Sequence, residues 1–222
     1  MNRFLIISFF FLTEIFVFGQ SLDERASLLD IAPGIYLTFK DFPNNEPVSV
    51  EAIETHLDYR SRDFFWNLYK EGKIVYTLSD EKYEIDSRRI WGYFDGQSLY
   101  LNKLIFPYGW SEGREKLDYP FARVFKLGTI SLIYYIRNYM PELYTTLPSM
   151  YSVATPQSRP MKFLLDMRDG KRYKATLKNF EHLIKDDEEL WIEYKASKDD
   201  KDIKLYLFLE RYNKRNPFRH GY

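Results

Sequence analysis

The sequence predicts an α+β fold, an antiparallel, hairpin-rich sheet with an N-terminal helix and short C-terminal helices. Three observations carry that prediction. Asp95-Gly96 and Asp169-Gly170 each sit between two apolar-aromatic runs, and Asp-Gly supplies the positive φ that a tight hairpin turn needs. Ser21-Leu22-Asp23-Glu24 has the spacing of a capping box ahead of Ala26 and Leu29. From Phe180 onward, apolar residues recur three and four apart rather than two.

Residues 1–19 read as a signal peptide. Arg3 provides a basic start, Phe4 to Leu12 an apolar run, and Gly19 a small residue ahead of a cut between Gly19 and Gln20. A retained membrane anchor is the rival reading, but a spanning helix needs about 20 apolar residues. The run here is shorter and contains Glu14. The next apolar run, Ile130 to Ile136, is too short to cross lipid and reads as a buried strand. No membrane span is therefore expected once the leader is removed.

Residues 20–138 read as a mainly β region behind an opening helix that ends at Pro33-Gly34. Gly34-Ile35-Tyr36 is extended, and Thr38 caps one helical turn that directs Phe39 and Phe42 inward. Pro43 and Pro47 bracket a turn. Lys73 to Leu78 is a strand. Arg89 to Phe94 and Gln97 to Leu101 form a hairpin. With Asp95-Gly96 as its two-residue loop, Trp91 faces Tyr100 and Tyr93 faces Ser98, while Ile90, Phe94, Leu99 and Leu101 share the other face. Phe121 to Ile130 continues the sheet, with Gly128 at a bend or bulge.

Residues 139–160 carry Pro141, Pro148, Pro156 and Pro160 and read as a loop or linker. Residues 161–222 read as a hairpin plus short helices, forming one globular unit with residues 20–138. Met161 to Met167 and Arg172 to Thr176 flank Asp169-Gly170. Phe180, Leu183 and Ile184 mark a first helix, and Leu190, Trp191 and Tyr194 a second that Asp186 or Asp187 caps. Leu205, Phe208, Leu209 and Tyr212 mark a last one, capped by Asp199 or Asp200.

Composition narrows the function classes. With 32 basic and 32 acidic residues the formal charge is zero, which argues against a nucleic-acid partner. The chain has no cysteine, so disulfides, thiolate metal sites and a lipid-modified N-terminal cysteine are closed. A chain of this length can bury a core without such staples. No Asn-x-Ser/Thr sequon occurs, and this favours a bacterial exported protein over a glycosylated eukaryotic one.

Three sets of residues carry a family likeness. They are Gly34-Ile35-Tyr36 with Thr38, Asp41-Phe42 and Pro47, then Trp91-Gly92-Tyr93 with Asp95-Gly96 and Leu99 to Asn102, then Phe125 to Gly128. With a leader ending Phe-Gly-Gln, they resemble exported proteins of unknown function from Bacteroidetes-type bacteria over roughly residues 30–136. The resemblance implies export and a bacterial source. It implies no activity and no site residues.

Reactive constellations are scarce. His56, His182 and His220 are far apart and outside any H-E-x-x-H frame, so no metal site and no cofactor is expected. Asp199, Asp200 and Asp202 lack the Gly and Glu of a calcium loop. No G-x-S-x-G elbow or phosphate-binding Gly loop occurs, and no catalytic residue is nominated. Among 32 acidic residues no one carboxylate pair stands out. The remaining signal is aromatic. Trp91, Tyr93 and Tyr100 share a predicted face, with Tyr108 and Trp110 just beyond, and flat rings of this kind stack on sugars. The competing reading is that they are core, because large aromatics dominate buried area. The function that follows is a non-catalytic binding or structural role in the cell envelope, secreted or periplasmic, with an envelope component or glycan as partner. The alternative is a carboxylate-dependent glycan hydrolase.

Overall fold

The computed structural model describes residues 31–61, 63–105, 120–139 and 157–219. The leader, the opening helix, Tyr108, Trp110, His220 and residues 140–156 of the expected linker lie outside these.

Seven strands form one antiparallel sheet in the order β1-β4-β5-β6-β7-β8-β9. They are β1 (Gly34–Tyr36), β4 (Gly92–Phe94), β5 (Leu99–Asn102), β6 (Phe121–Lys126), β7 (Ile130–Tyr139), β8 (Gln157–Asp166) and β9 (Arg172–Lys174). Between β1 and β4 the chain makes α1 (Asp41–Asn44), α2 (Phe64–Lys70) and a separate ribbon of β2 (Lys73–Leu78) and β3 (Glu81–Asp86). After β9 come α3 (Leu177–Leu183), α4 (Glu188–Ala196) and α5 (Lys201–Arg215). The architecture is α+β, as the hairpin and helix signals predict.

Side-chain alternation sorts the strands into two faces. Phe94, Leu99, Leu101, Val124, Ile133 and Phe163 point to an inner face and pack as one cluster with Tyr36, Phe42 and Trp91. The sheet curls around this cluster. A Cβ on Gly170, in the β8–β9 turn, would lie 2.6 Å from the ring of Phe39, three residues after β1. The edges of a flat seven-stranded sheet would lie about 29 Å apart at about 4.8 Å per strand. Three residues and a phenyl ring reach roughly half that distance, so the edges are bent toward each other. Phe218, after α5, stacks on Phe42 at 5.9 Å and closes the same side.

Among the described residues, the outer face is covered only at its two ends. At the β1–β4–β5 end, α2 and the β2–β3 ribbon bury Ile35, Ile90 and Tyr93. At the β7–β8 end, α3, α4 and α5 bury Ile130, Leu132 and Leu164. Thr176 and Asp187 cap α3 and α4 by accepting the N–H of Asn179 and Leu190. Asn213 of α5 grips β7, its side chain accepting from Ile130 N–H and donating to Ile130 C=O at 2.9 and 2.8 Å.

Several expectations are corrected. The first hairpin pairs Tyr93 with Tyr100 and Phe94 with Leu99, so its loop is the four residues Asp95 to Ser98. Asp95 does not sit inside a two-residue turn; its carboxylate accepts from the N–H groups of Gln97 and Ser98 at 2.8 and 2.7 Å. Trp91 does not share the face of Tyr93 and Tyr100. Its N–H donates to both Tyr36 and Leu37 C=O, at 3.0 and 3.1 Å, so two residues oppose one. That irregularity breaks alternation and sends the indole to the inner cluster, 5.3 Å from the Phe42 ring.

The run Phe121 to Ile130 is two strands, with Gly128 in the turn between them. Strands β7 and β8 extend to Tyr139 and from Gln157, into both ends of the expected linker 139–160. Their ten-residue pairing joins the two sides of that boundary in one sheet. Thr38 does not cap α1; its N–H and hydroxyl donate to the Asp41 carboxylate at 2.6 and 3.0 Å.

Candidate functional site

The middle of the outer face lies between its two covered ends. One cross-strand row runs through it: Tyr93 pairs with Tyr100, Tyr100 with Arg123, Arg123 with Tyr134, and Tyr134 with Lys162. Residues opposite one another on neighbouring strands point the same way, so from Tyr100 onward the row presents aromatic and cationic side chains in alternation.

The covered end of the row is core. Tyr93 is 3 % exposed, stacked between Phe65 at 3.9 Å and Tyr100 at 4.8 Å, with Phe121 edge-on at 5.0 Å. Trp91 is 7 % exposed on the other face of the sheet. Neither ring offers a free face for a ligand, so of the three predicted stacking residues that are described only Tyr100, half-buried, borders the open strip. Tyr108 and Trp110 fall outside the described residues.

Beyond Tyr100 the row is open. Tyr134 is 39 % exposed, and its neighbours Phe125 and Ile136 are 48 % and 54 % exposed. Phe125 follows Arg123 by two residues, so alternation puts it on the same outer face, and a register shift leaves it without a cross-strand partner. Val124 pairs with Ile133 but Lys126 with Leu132, which leaves Phe125 as the extra residue of a bulge. Its ring turns to the outer side and meets Tyr206 of α5 edge-on at 6.4 Å. The Lys162 ammonium lies 5.3 Å over that Tyr206 ring. Arg123 is exposed, and none of the ion pairs or side-chain hydrogen bonds among the described residues includes it. Sequence reasoning missed Arg123, Phe125 and Tyr134 because strand alternation alone does not tell which part of a face a helix will cover.

Two arginines near the β8–β9 turn differ from Arg123. Arg168 holds the buried Asp166 carboxylate through two bonds of 2.8 and 2.7 Å, and also reaches Asp186, Tyr212 and the Leu183 carbonyl. The Asp166 contact keeps the guanidinium pKa above its ordinary value, while burial raises that of the Tyr212 hydroxyl. This network ties the β8–β9 turn to α5, and it engages Asp166 and Asp186 on one cation. Arg172 on β9 has a buried Nη1 with no hydrogen-bond partner, and desolvation lowers its pKa. Among the described residues no three His, Asp or Glu side chains converge as a metal site, and no helix is long and apolar enough to cross a membrane.

A family of unknown function, DUF6563, matches residues 34–216, from the first strand of the sheet to the end of α5. The chain belongs to that family. The match covers the curled sheet, the β2–β3 ribbon and all three C-terminal helices, so family membership extends over both ends of the outer face and the open strip between them. No curated protein and no solved structure matches the chain.

Proposed function

We propose that this DUF6563 chain is an exported envelope protein of a Bacteroidetes-type bacterium that binds a partner without catalysis, through the open strip of its outer sheet face. The observation that carries the reading is the exposure of Phe125, Tyr134 and Ile136 beside Arg123, which has no partner among the described residues, between the two covered ends of the face. Aromatic and arginine side chains concentrate binding energy where they are grouped on a rigid support. A sheet hydrogen-bonded across seven strands is such a support. The leader supports the envelope address through its basic start, apolar run and small residue before Gln20.

Two measurements test the proposal. N-terminal sequencing of the protein recovered from the periplasm or medium is expected to begin at Gln20; an intact Met1 terminus on cytosolic protein removes the address. A photo-crosslinking amino acid placed at Tyr134 is expected to join the protein to envelope material, and one placed at exposed Tyr59 is not. Equal yields from both positions would remove the binding surface.

A further inference from the structure

We infer that the open strip binds an acidic oligosaccharide, with sugar rings lying on Tyr134 and Phe125 and a ring carboxylate or phosphate on Arg123. The inference rests on the reading of this strip as the contact surface and adds the chemical class of the ligand.

Charge is the first argument. Arg123 has no carboxylate partner among the described residues, and it stands between Tyr100 and Tyr134 in the cross-strand row. Lys162 follows Tyr134 in that row. The exposed Arg123 guanidinium therefore complements an anion, because its planar fork fits a carboxylate or phosphate.

Geometry is the second. Adjacent strands are about 4.8 Å apart, so Arg123 is one strand from each of two tyrosines. A ligand along the row meets ring, cation, ring and cation in turn. Such a ligand needs apolar faces and negative charge in the same short repeat. An acidic sugar has both, because each ring carries C–H faces and its substituent carries the charge. Phe125 and Ile136 widen the strip on either side with surface that only apolar faces satisfy.

A nucleic acid also combines rings and charge, but phosphate-driven binding draws on many cations at once. This chain balances 32 basic with 32 acidic residues. The exposed Arg123 supplies charge for one anionic group, which suits a sugar acid better than a polyphosphate chain.

The test is calorimetry on the full chain with oligogalacturonate, a neutral maltooligosaccharide of equal length, and an oligothymidylate. Oligogalacturonate is expected to bind at least tenfold more tightly than the other two, and to weaken as salt is added. Arg123→Gln and Tyr134→Ala are each expected to weaken it about tenfold, and Arg123→Gln, whose side chain is exposed, to leave the melting temperature unchanged. Tyr59→Ala, outside the strip, is expected to bind as the parent does. Equal binding of the neutral sugar, tighter binding of the oligothymidylate, or full affinity in Arg123→Gln would overturn the inference. If oligogalacturonate does not bind but Tyr134 still crosslinks to envelope material, the ligand class falls and the contact surface stands. If Tyr134 does not crosslink, the surface itself falls.

Discussion

Arg172 follows Leu165 by seven residues and Arg168 follows Asp166 by two in one hairpin, yet their surroundings set opposite consequences for stability. Arg172 pairs with Leu165 across β8 and β9 and faces the inner, apolar side with one nitrogen buried and unpartnered. Replacing a poorly satisfied charge by an apolar group of similar shape removes a desolvation cost. Arg172→Met is therefore expected to raise stability by about 1 kcal/mol, read from urea melts; a loss of stability would refute the account. Asp166→Asn should do the reverse. It removes the charge that Arg168 grips through two bonds, and about 1–3 kcal/mol of stability is expected to go with it. Tyr194 shows how burial, with the nearby Glu181 charge adding to it, couples stability to pH. Its hydroxyl donates to Leu177 C=O at 3.1 Å, and desolvation pushes its pKa up to about 12 from an ordinary 10. Between these values the unfolded chain ionises and the folded chain does not, so stability present below pH 10 falls as pH rises toward 12. Tyr36 and Tyr212 are shifted in the same direction by the same cause. Tyr194→Phe is expected to flatten part of that alkaline loss in melts taken across pH 9–12.

Short elements depend on backbone detail that composition hides. The β2–β3 ribbon turns through Ser79 and Asp80, both with positive φ at 50° and 66°. That is the conformation for which Asn-Gly is the preferred pair, and neither residue here announces it. The double change Ser79→Asn and Asp80→Gly is expected to stabilise the chain by about 0.5–1 kcal/mol, measured by thermal melts, with a decrease counting against the turn assignment. The same hidden turn explains why β3 escapes a sequence reading. Its residues Glu81 to Asp86 are mostly charged and exposed, since they pair with β2 on one side and face water on the other. In contrast β7 is legible, because Ile130, Leu132 and Ile133 are buried on both faces of the sheet and form an unbroken apolar run.

At the scale of the molecule, closure of the curled sheet rests on contacts between distant parts of the chain. Phe218 stacks on Phe42, and Phe39 presses on the backbone of Gly170. Phe218→Ala is expected to lower stability by about 2 kcal/mol, less than the full value for a buried ring because Phe218 is half-buried. For a chain of this length that corresponds to a fall of about 4–8 °C in melting temperature. An unchanged melting temperature would mean that the C-terminal tail does not hold the sheet closed.

Local chemistry determined much of this protein from sequence alone. Asp-Gly pairs mark two hairpins, the spacing of Phe180, Leu183 and Ile184 marks a helix, and the cap of the next helix narrows to Asp186 or Asp187, of which Asp187 serves, because turn conformation, helical period and capping depend on residues a few positions apart. Tertiary structure alone decided which aromatic rings are core. Tyr93 and Tyr134 lie on the same face of one sheet, but α2 covers the first through Phe65 and nothing among the described residues stacks on the second. Whether a helix comes to rest over a strand residue depends on contacts far apart in the chain, and no local spacing records them.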